Sequence, residues 1–215
     1  MYFTVKQQLK RLSKDDYLNL KTLSRIAKNL YNTGLYNVRQ YYFAEKEYLN
    51  YEKNYYLCKD NENYKMLNSN MAQQILKSVD EVFKSFFGLL KLAKKGKYSF
   101  SNIRLPHYMD KDGYATLIIG FVRLNGSKLI IPYSQSFKKE HKPITINVPP
   151  ILHDKQIKEI RIIPKSNARF FEVQYTYRVN SVASDEQPKE LNKQNALAKL
   201  SALSIDLGLD NLTAV

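Results

Sequence analysis

The chain has 215 residues, and its 44% hydrophobic and 25% charged residues are ordinary values for a globular protein, which exclude an intrinsically disordered chain. The 34 lysine and arginine residues outnumber the 20 aspartate and glutamate residues, and the formal net charge of +14 indicates a polyanionic partner. Because there is one cysteine, Cys58, and no Cys/His cluster, the sequence excludes an intrachain disulfide and a zinc site built from these residues.

The positive charge has two interpretations. Most of it is lysine in a sequence also rich in Asn, Tyr and Ile, as in proteins from AT-rich genomes, so codon drift could account for it. Drift would spread the charge evenly, but residues 1–40 contain 8 basic and 2 acidic residues, 77–104 contain 7 and 2, and 105–180 contain 12 and 6. Residues 41–66 and 181–215 are net negative. The uneven distribution favours binding of a polyanion.

The N-terminal residues alternate in character and reach a charge by Lys6, and no apolar stretch approaches the roughly 18 residues that a membrane span needs. We therefore expect no signal peptide, no membrane partner and a cytoplasmic, reducing location. The alternation over 2–10 predicts a short strand, although no partner strand lies nearby in sequence.

Two long amphipathic segments follow. Ser13, with an acidic residue at Asp16, is typical of a helix start, and apolar residues then recur at three- and four-residue steps, weakly as far as Leu49. This pattern predicts one long helix or two in tandem. Turn-forming residues at 59–63 interrupt it, and a second helix is predicted from about 68 to the basic end at 94–96. Residues 13–96 are therefore expected to form a helical hairpin or bundle.

After Gly96 the apolar period changes from helical to alternating. The runs 115–124 and 128–131 flank Asn125-Gly126, a pair that favours a type I′ hairpin turn. Further β-rich runs are 144–148, 157–163 and 168–179, the last two joined by a turn. Four or five antiparallel strands suggest a small barrel.

The C-terminal residues contain a lone acidic residue in an apolar run. Asp206 stands where a buried strand is predicted, although aspartate is rare in strands and costly to bury unpaired. One interpretation is a metal-binding carboxylate of an RNase H-like nuclease. The other is an aspartate that caps the turn at Gly208.

Residues 204–212 resemble the first RuvC motif of the TnpB family, transposon-encoded RNA-guided DNA endonucleases related to type V CRISPR effectors. They read Ser204-Ile205-Asp206-Leu207-Gly208-Leu209-Asp210-Asn211-Leu212. Four further short segments agree with that family in order and spacing, so the resemblance covers the full 215 residues. They are Asn29–Asn32, Ser85–Phe87, Ile103–Pro106 and the hairpin from Arg161 to Tyr175.

The resemblance implies an α+β architecture with a wedge-type antiparallel β-barrel and an inserted helical recognition domain. The first strand of the barrel would be 1–12, the helical domain 13–100 and the remainder of the barrel 101–180. A linker, 181–200, would lead to the start of a RuvC-like nuclease domain at 201–215.

The resemblance also implies the partners, guide RNA and target DNA, bound by the barrel and the helical domain. The start of the second recognition helix would meet a short duplex motif beside the target, and Ser69, Asn70 and Gln73 hold the matching positions. Candidate phosphate contacts are Lys94, Lys95, Lys97 and Arg104, with a solvated helix end as the alternative for the lysines. The helix aromatics, such as Tyr31 and Phe83, are expected in the core.

Nucleases of this family cut with two Mg²⁺ ions held by three acidic residues, of which Asp206 matches the first. The other two belong to motifs that the 215 residues do not contain, and the family's Cys-rich zinc insertion is also missing. We therefore expect this chain alone to bind no metal tightly and to be inactive as an enzyme. Two alternatives stay open. A separate C-terminal RuvC fragment could complete a split nuclease, or the chain could be the inert product of a decayed transposon gene.

Overall fold

The computed structural model describes residues 1–179. The predicted linker and the RuvC-like motif with Asp206 lie outside the described residues. Antiparallel sheets and five α-helices make up the described part, which confirms the α+β class. Among these residues no helix is long and apolar enough to cross a membrane.

Helix α1 (Lys14–Glu45) begins where the sequence predicts. The Ser13 Oγ accepts a hydrogen bond from the Asp16 backbone N–H at 3.0 Å, and the acidic residues of the first turn complement the helix dipole. The helix ends at Lys46, which adopts a left-handed conformation with φ 56° and donates its N–H to the Tyr42 carbonyl.

Three further helices, α2 (Tyr51–Cys58), α3 (Glu62–Met66) and α4 (Ser69–Lys94), each begin after an asparagine. The side chains of Asn50, Asn61 and Asn68 accept hydrogen bonds from the first turn of the helix that follows. The bounds of α4 confirm the predicted second helix. The sequence did not predict α2 and α3 as separate helices.

Helices α1 and α4 share one apolar core, and each fully buried leucine in it contributes about 1.5–3 kcal/mol. Its members from these two helices are Leu20, Leu23, Ala27, Leu30, Tyr31, Leu35, Val38, Met71, Ala72, Ile75, Leu76, Val79 and Phe83. At Gly34 a Cβ atom would lie only 2.8 Å from the Leu76 Cδ2, so glycine permits the close approach of the two helices. Tyr31 and Phe83 are buried, as expected.

The strands of the described residues form two antiparallel sheets. They are β1 (Tyr2–Gln8), β2 (Leu117–Ile119), β3 (Leu124–Asn125), β4 (Lys128–Ile130), β5 (Thr145–Asn147), β6 (Gln156–Lys165) and β7 (Phe170–Arg178). One sheet has the order β1-β7-β6-β2, and the other has the order β3-β4-β5. A short helix, α5 (Gln135–Lys138), lies between β4 and β5.

Strand β1 finds its partner at the far end of the described chain. It pairs with β7 from Tyr2 opposite Arg178 to Gln8 opposite Glu172. The Gln7 side chain then connects the two sheets: its Oε1 accepts from the Tyr175 hydroxyl at 2.7 Å, and its Nε2 donates to the Asn147 carbonyl at 3.1 Å. Helices α1 to α4 are therefore inserted in sequence between β1 and the rest of its sheet.

The predicted hairpin exists, but its turn is displaced by one residue. Asn125 pairs with Lys128 in the ladder, so Gly126 and Ser127 are the two turn residues, and only Gly126 has a positive φ, 58°. A glycine at the first turn position is typical of type II′, not of the predicted type I′. The predicted run 115–124 is also divided, since β2 joins β6 in the first sheet and β3 belongs to the second.

Candidate nucleic-acid interface

The start of α4 holds the residues expected to meet a duplex motif, and one of them has an internal role. The Asn70 Oδ1 accepts hydrogen bonds from the backbone N–H groups of Gly120 and Phe121, at 3.0 and 3.3 Å. These bonds occupy backbone donors just after β2, which explains why the run 115–124 divides there. Asn70 thus positions the β2–β3 connection.

A cleft of about 350 Å³ lies beside this connection and brings Ser69 and Asn70 together with residues of the β-sheets. Phe121 is 62% exposed at the cleft, and the Arg123 guanidinium carbon lies 4.9 Å from the centre of its ring. An exposed aromatic face beside a cation suits stacking against a nucleobase. Sequence reasoning missed Phe121 and Arg123. The available signal was an aromatic and an arginine two residues apart, directly after Gly120.

Gln73 does not line this cleft. It is half-buried beside Tyr64, where burial raises the pKa of the Tyr64 phenol and a hydrogen bond with Gln73 partly offsets that rise. Of the three predicted contacts, the structure therefore brings two to one cleft and leaves the third outside it.

Arg25, Lys28 and Arg39 of α1 form a first basic zone, which holds a segment of the chain against the helix. Residues 103–115 run antiparallel to α1, and we name them the strap. Arg39 donates a hydrogen bond to the Pro106 carbonyl at 3.3 Å, and Lys28 donates one to the Lys111 carbonyl at 2.8 Å. Between them, Asn32 both donates to and accepts from the Met109 backbone, each time at 2.9 Å. The donor groups of these side chains are therefore occupied by hydrogen bonds within the protein.

The strap ends at a tyrosine surrounded by positive charge. The Arg25 Nη2 donates to the Tyr114 hydroxyl at 2.8 Å, and the Lys21 ammonium lies 5.6 Å from the centre of the same ring. Partial burial opposes ionisation of Tyr114, but the hydrogen bond and the charge of Arg25, with the charge of Lys21, lower its pKa overall.

The C-terminal half of α4 and the residues after it form a second basic zone. No Asp or Glu occurs between residues 82 and 109, whereas six basic residues do. Lys94, Lys95, Lys97 and Arg104 are exposed, and within residues 1–179 none of the four makes a side-chain hydrogen bond or an ion pair. Exposed lysines with no acidic neighbour in the sequence suit contacts with phosphates.

One lysine of α4 does have an acidic partner. The Lys84 Nζ lies 2.6 Å from the Asp80 Oδ2, while the Asp80 Oδ1 accepts from the Tyr48 hydroxyl and from the Tyr51 backbone N–H. Burial, together with the hydrogen bond to Asp80, raises the pKa of Tyr48. Asp80 is buried and ties α4 to the segment that leads into α2.

A metal site is not visible in the described part. Within residues 1–179 no group of three or more His, Cys, Asp or Glu side chains is placed to hold an ion. Asp206, the predicted Mg²⁺ ligand, lies outside those residues. Cys58 is buried, and burial raises the pKa of its thiol to about 11, which keeps it protonated and unreactive.

Neither the protein-family models nor the curated proteins include a match to this chain.

Proposed function

We propose that this chain binds nucleic acid as part of a TnpB-like, RNA-guided DNA endonuclease, with guide RNA and target DNA as its partners. The observation that carries the proposal is the second basic zone, in which exposed lysines follow one another with no acidic residue between positions 82 and 109. A surface of this kind gains affinity for a polyanion by releasing counterions from the phosphates.

The exposed Phe121 and Arg123 supply a second type of contact. Lysines neutralise phosphates without regard to sequence, whereas an aromatic face beside a guanidinium group stacks on an unpaired or terminal base. The cleft beside Ser69 is the place where the resemblance implies a short duplex motif, so we assign this contact to a terminal or unpaired base of the target DNA beside that motif.

We also propose that the two linked sheets correspond to a wedge-type barrel, with helices α1 to α4 as the inserted recognition domain. The pairing of β1 with β7 supports this assignment, because the helices are inserted in sequence between two strands that are neighbours in one sheet. The Gln7 side chain, bonded to both sheets, supports their treatment as one unit.

For catalysis we propose that a protein of these 215 residues does not cut nucleic acid. The resemblance implies a three-carboxylate, two-metal site, and Asp206 is the one member of that set in the sequence.

The experiment is a salt titration of binding to a structured RNA. We expect the affinity to fall steeply with salt, and Lys95→Gln with Lys97→Gln to reduce the slope of log K against log salt by about 0.7–0.9 for each lysine–phosphate pair removed. Lys138→Gln with Lys139→Gln is the matched control, because both lysines are exposed near α5. An affinity weaker than about 10⁻⁴ M near physiological salt would contradict the proposal. A parallel incubation with Mg²⁺ should show no cleavage, and Asp206→Ala is its control.

A further inference from the structure

A groove of about 570 Å³ runs between the end of α1 and the C-terminal half of α4, away from the cleft at Ser69. Its rim carries four lysines and its floor three aromatic rings, and no Asp or Glu lines it. The lysines are Lys46, Lys84, Lys91 and Lys94.

The aromatic floor is held in place by its own packing. The Phe87 ring lies edge-on to Tyr42 and to Tyr48, with centroid distances of 5.6 and 5.3 Å. The hydroxyl of Tyr48 is bonded to Asp80, which fixes that ring further. All three rings are half-buried, so a ligand that enters the groove would contact a preorganised apolar surface.

Two of the four lysines are bonded to other groups of the protein. Lys84 pairs with Asp80, and the Lys46 Nζ donates to the Phe43 carbonyl at 2.9 Å. Lys91 and Lys94 are exposed, and within the described residues neither has a side-chain hydrogen bond or an ion pair. Their two ammonium groups are therefore available to an anionic ligand beside the aromatic floor of the groove.

We propose that this groove binds a single-stranded segment of nucleic acid, with unpaired bases against the rings and phosphates on Lys91 and Lys94. The inference rests on the proposed function and specifies the form of ligand at this groove. Cationic rims over aromatic floors are the recurring means of holding single strands. A duplex keeps its bases paired and stacked, so it could offer the groove phosphates only.

Gly88 permits a direct test, because it lines the groove and a Cβ atom built on it would meet nothing within 4 Å. Gly88→Leu should therefore project into the groove from a position where its Cβ has no close neighbour. Gly88→Ala is the matched control, since it makes the same backbone change with little volume. Both substitutions replace a glycine inside a helix, so both should preserve or raise the unfolding temperature.

The probes are a fluorescent oligo(dT) of about 12 nucleotides and a duplex of the same length, each titrated at about 0.15 M salt. Lys91→Gln with Lys94→Gln should weaken single-strand binding about 15-fold, because the substitutions remove two cations that each add about 0.7 to the salt slope. Gly88→Leu should weaken it at least fivefold by excluding a base, while Gly88→Ala and the pair Lys138→Gln, Lys139→Gln should stay near wild type.

The outcomes separate this inference from the proposed function. If the wild-type chain binds neither these probes nor structured RNA, the proposed function itself fails. If it binds nucleic acid while the groove variants match their controls, the groove is not the single-strand site. An equal loss for single strand and duplex would also overturn the inference, because it would show a basic surface that does not distinguish them.

Discussion

The two basic zones of this protein look alike in sequence and differ in what their cations do. On α1, Arg25, Lys28 and Arg39 are bonded to the strap, and Lys28 is only 6% exposed. On the C-terminal half of α4, Lys91 and Lys94 are exposed, with no such partner among residues 1–179. The first zone uses charge to hold the fold together, whereas the second, apart from Lys84, leaves its charge available to a ligand.

The comparison teaches that net charge alone does not locate a binding surface. A buried lysine whose ammonium donates to a backbone carbonyl adds to the formal charge but offers little to a phosphate. The hydrogen-bond partners, and not the count of basic residues, distinguish the two zones.

Asp80→Ala should give the largest effect and would sharpen the comparison within α4. The substitution leaves the Tyr48 hydroxyl and the Tyr51 N–H without their acceptor, so we expect a loss of about 3 kcal/mol in the free energy of unfolding. Lys84→Ala should be far milder, because the Lys84 side chain is 68% exposed. Urea unfolding of both variants measures the difference, and equal losses would show that the ion pair itself carries the stability.

Lys28→Ala should give the next largest effect. It removes a buried aliphatic stem and the donor to the Lys111 carbonyl, so we expect a loss of about 2 kcal/mol, or roughly 4–8 °C in Tm. Lys94→Ala is the control from the other zone, with an expected change below about 0.5 kcal/mol. An unchanged Tm together with weaker RNA binding in Lys28→Ala would contradict the stated difference between the two zones, since Lys28 would then bind a ligand.

Local patterns of the sequence were sufficient for the long elements. The Ser13 start, the apolar stripes of α1 and α4, and the partnerless alternation over 2–10 correctly predicted two helices and a strand. Helices α2 and α3 have only 8 and 5 residues, too few for an apolar period to develop. Their signal was instead the asparagine caps, which a turn explains equally well.

The candidate site was less accessible to sequence reasoning. The roles of Asn70 and of the strap depend on contacts between residues 50 to 89 positions apart, and no periodicity encodes them. Exposure of Lys94, Lys95 and Lys97 followed from their place at a helix end. Whether a cation is engaged or available is a tertiary property, which is why the two zones could not be distinguished before the fold was known.

The smallest effect concerns the ionisation of two tyrosines. In the first zone cations lower the pKa of Tyr114, and beside Asp80 burial and the carboxylate raise the pKa of Tyr48. The lowered pKa means that Tyr114 adds stability above the ordinary tyrosine pKa of 10.0, and this contribution is lost as the pH falls through the lowered value. Tyr48 has the opposite sign, because its contribution is complete below pH 10.0 and is lost as the pH rises above it.

Arg25→Gln removes the guanidinium charge beside Tyr114, so the pKa of Tyr114 should rise while that of Tyr48 stays raised. An NMR titration of ring-labelled tyrosine, with Tyr114→Phe and Tyr48→Phe to assign the signals, measures both. The pH at which Tyr114 ionises reports directly whether Arg25 is engaged by the strap in solution. A Tyr114 signal that titrates identically with and without Arg25 would place that arginine away from the ring, and Arg25 would then be as available to a ligand as Lys91 and Lys94.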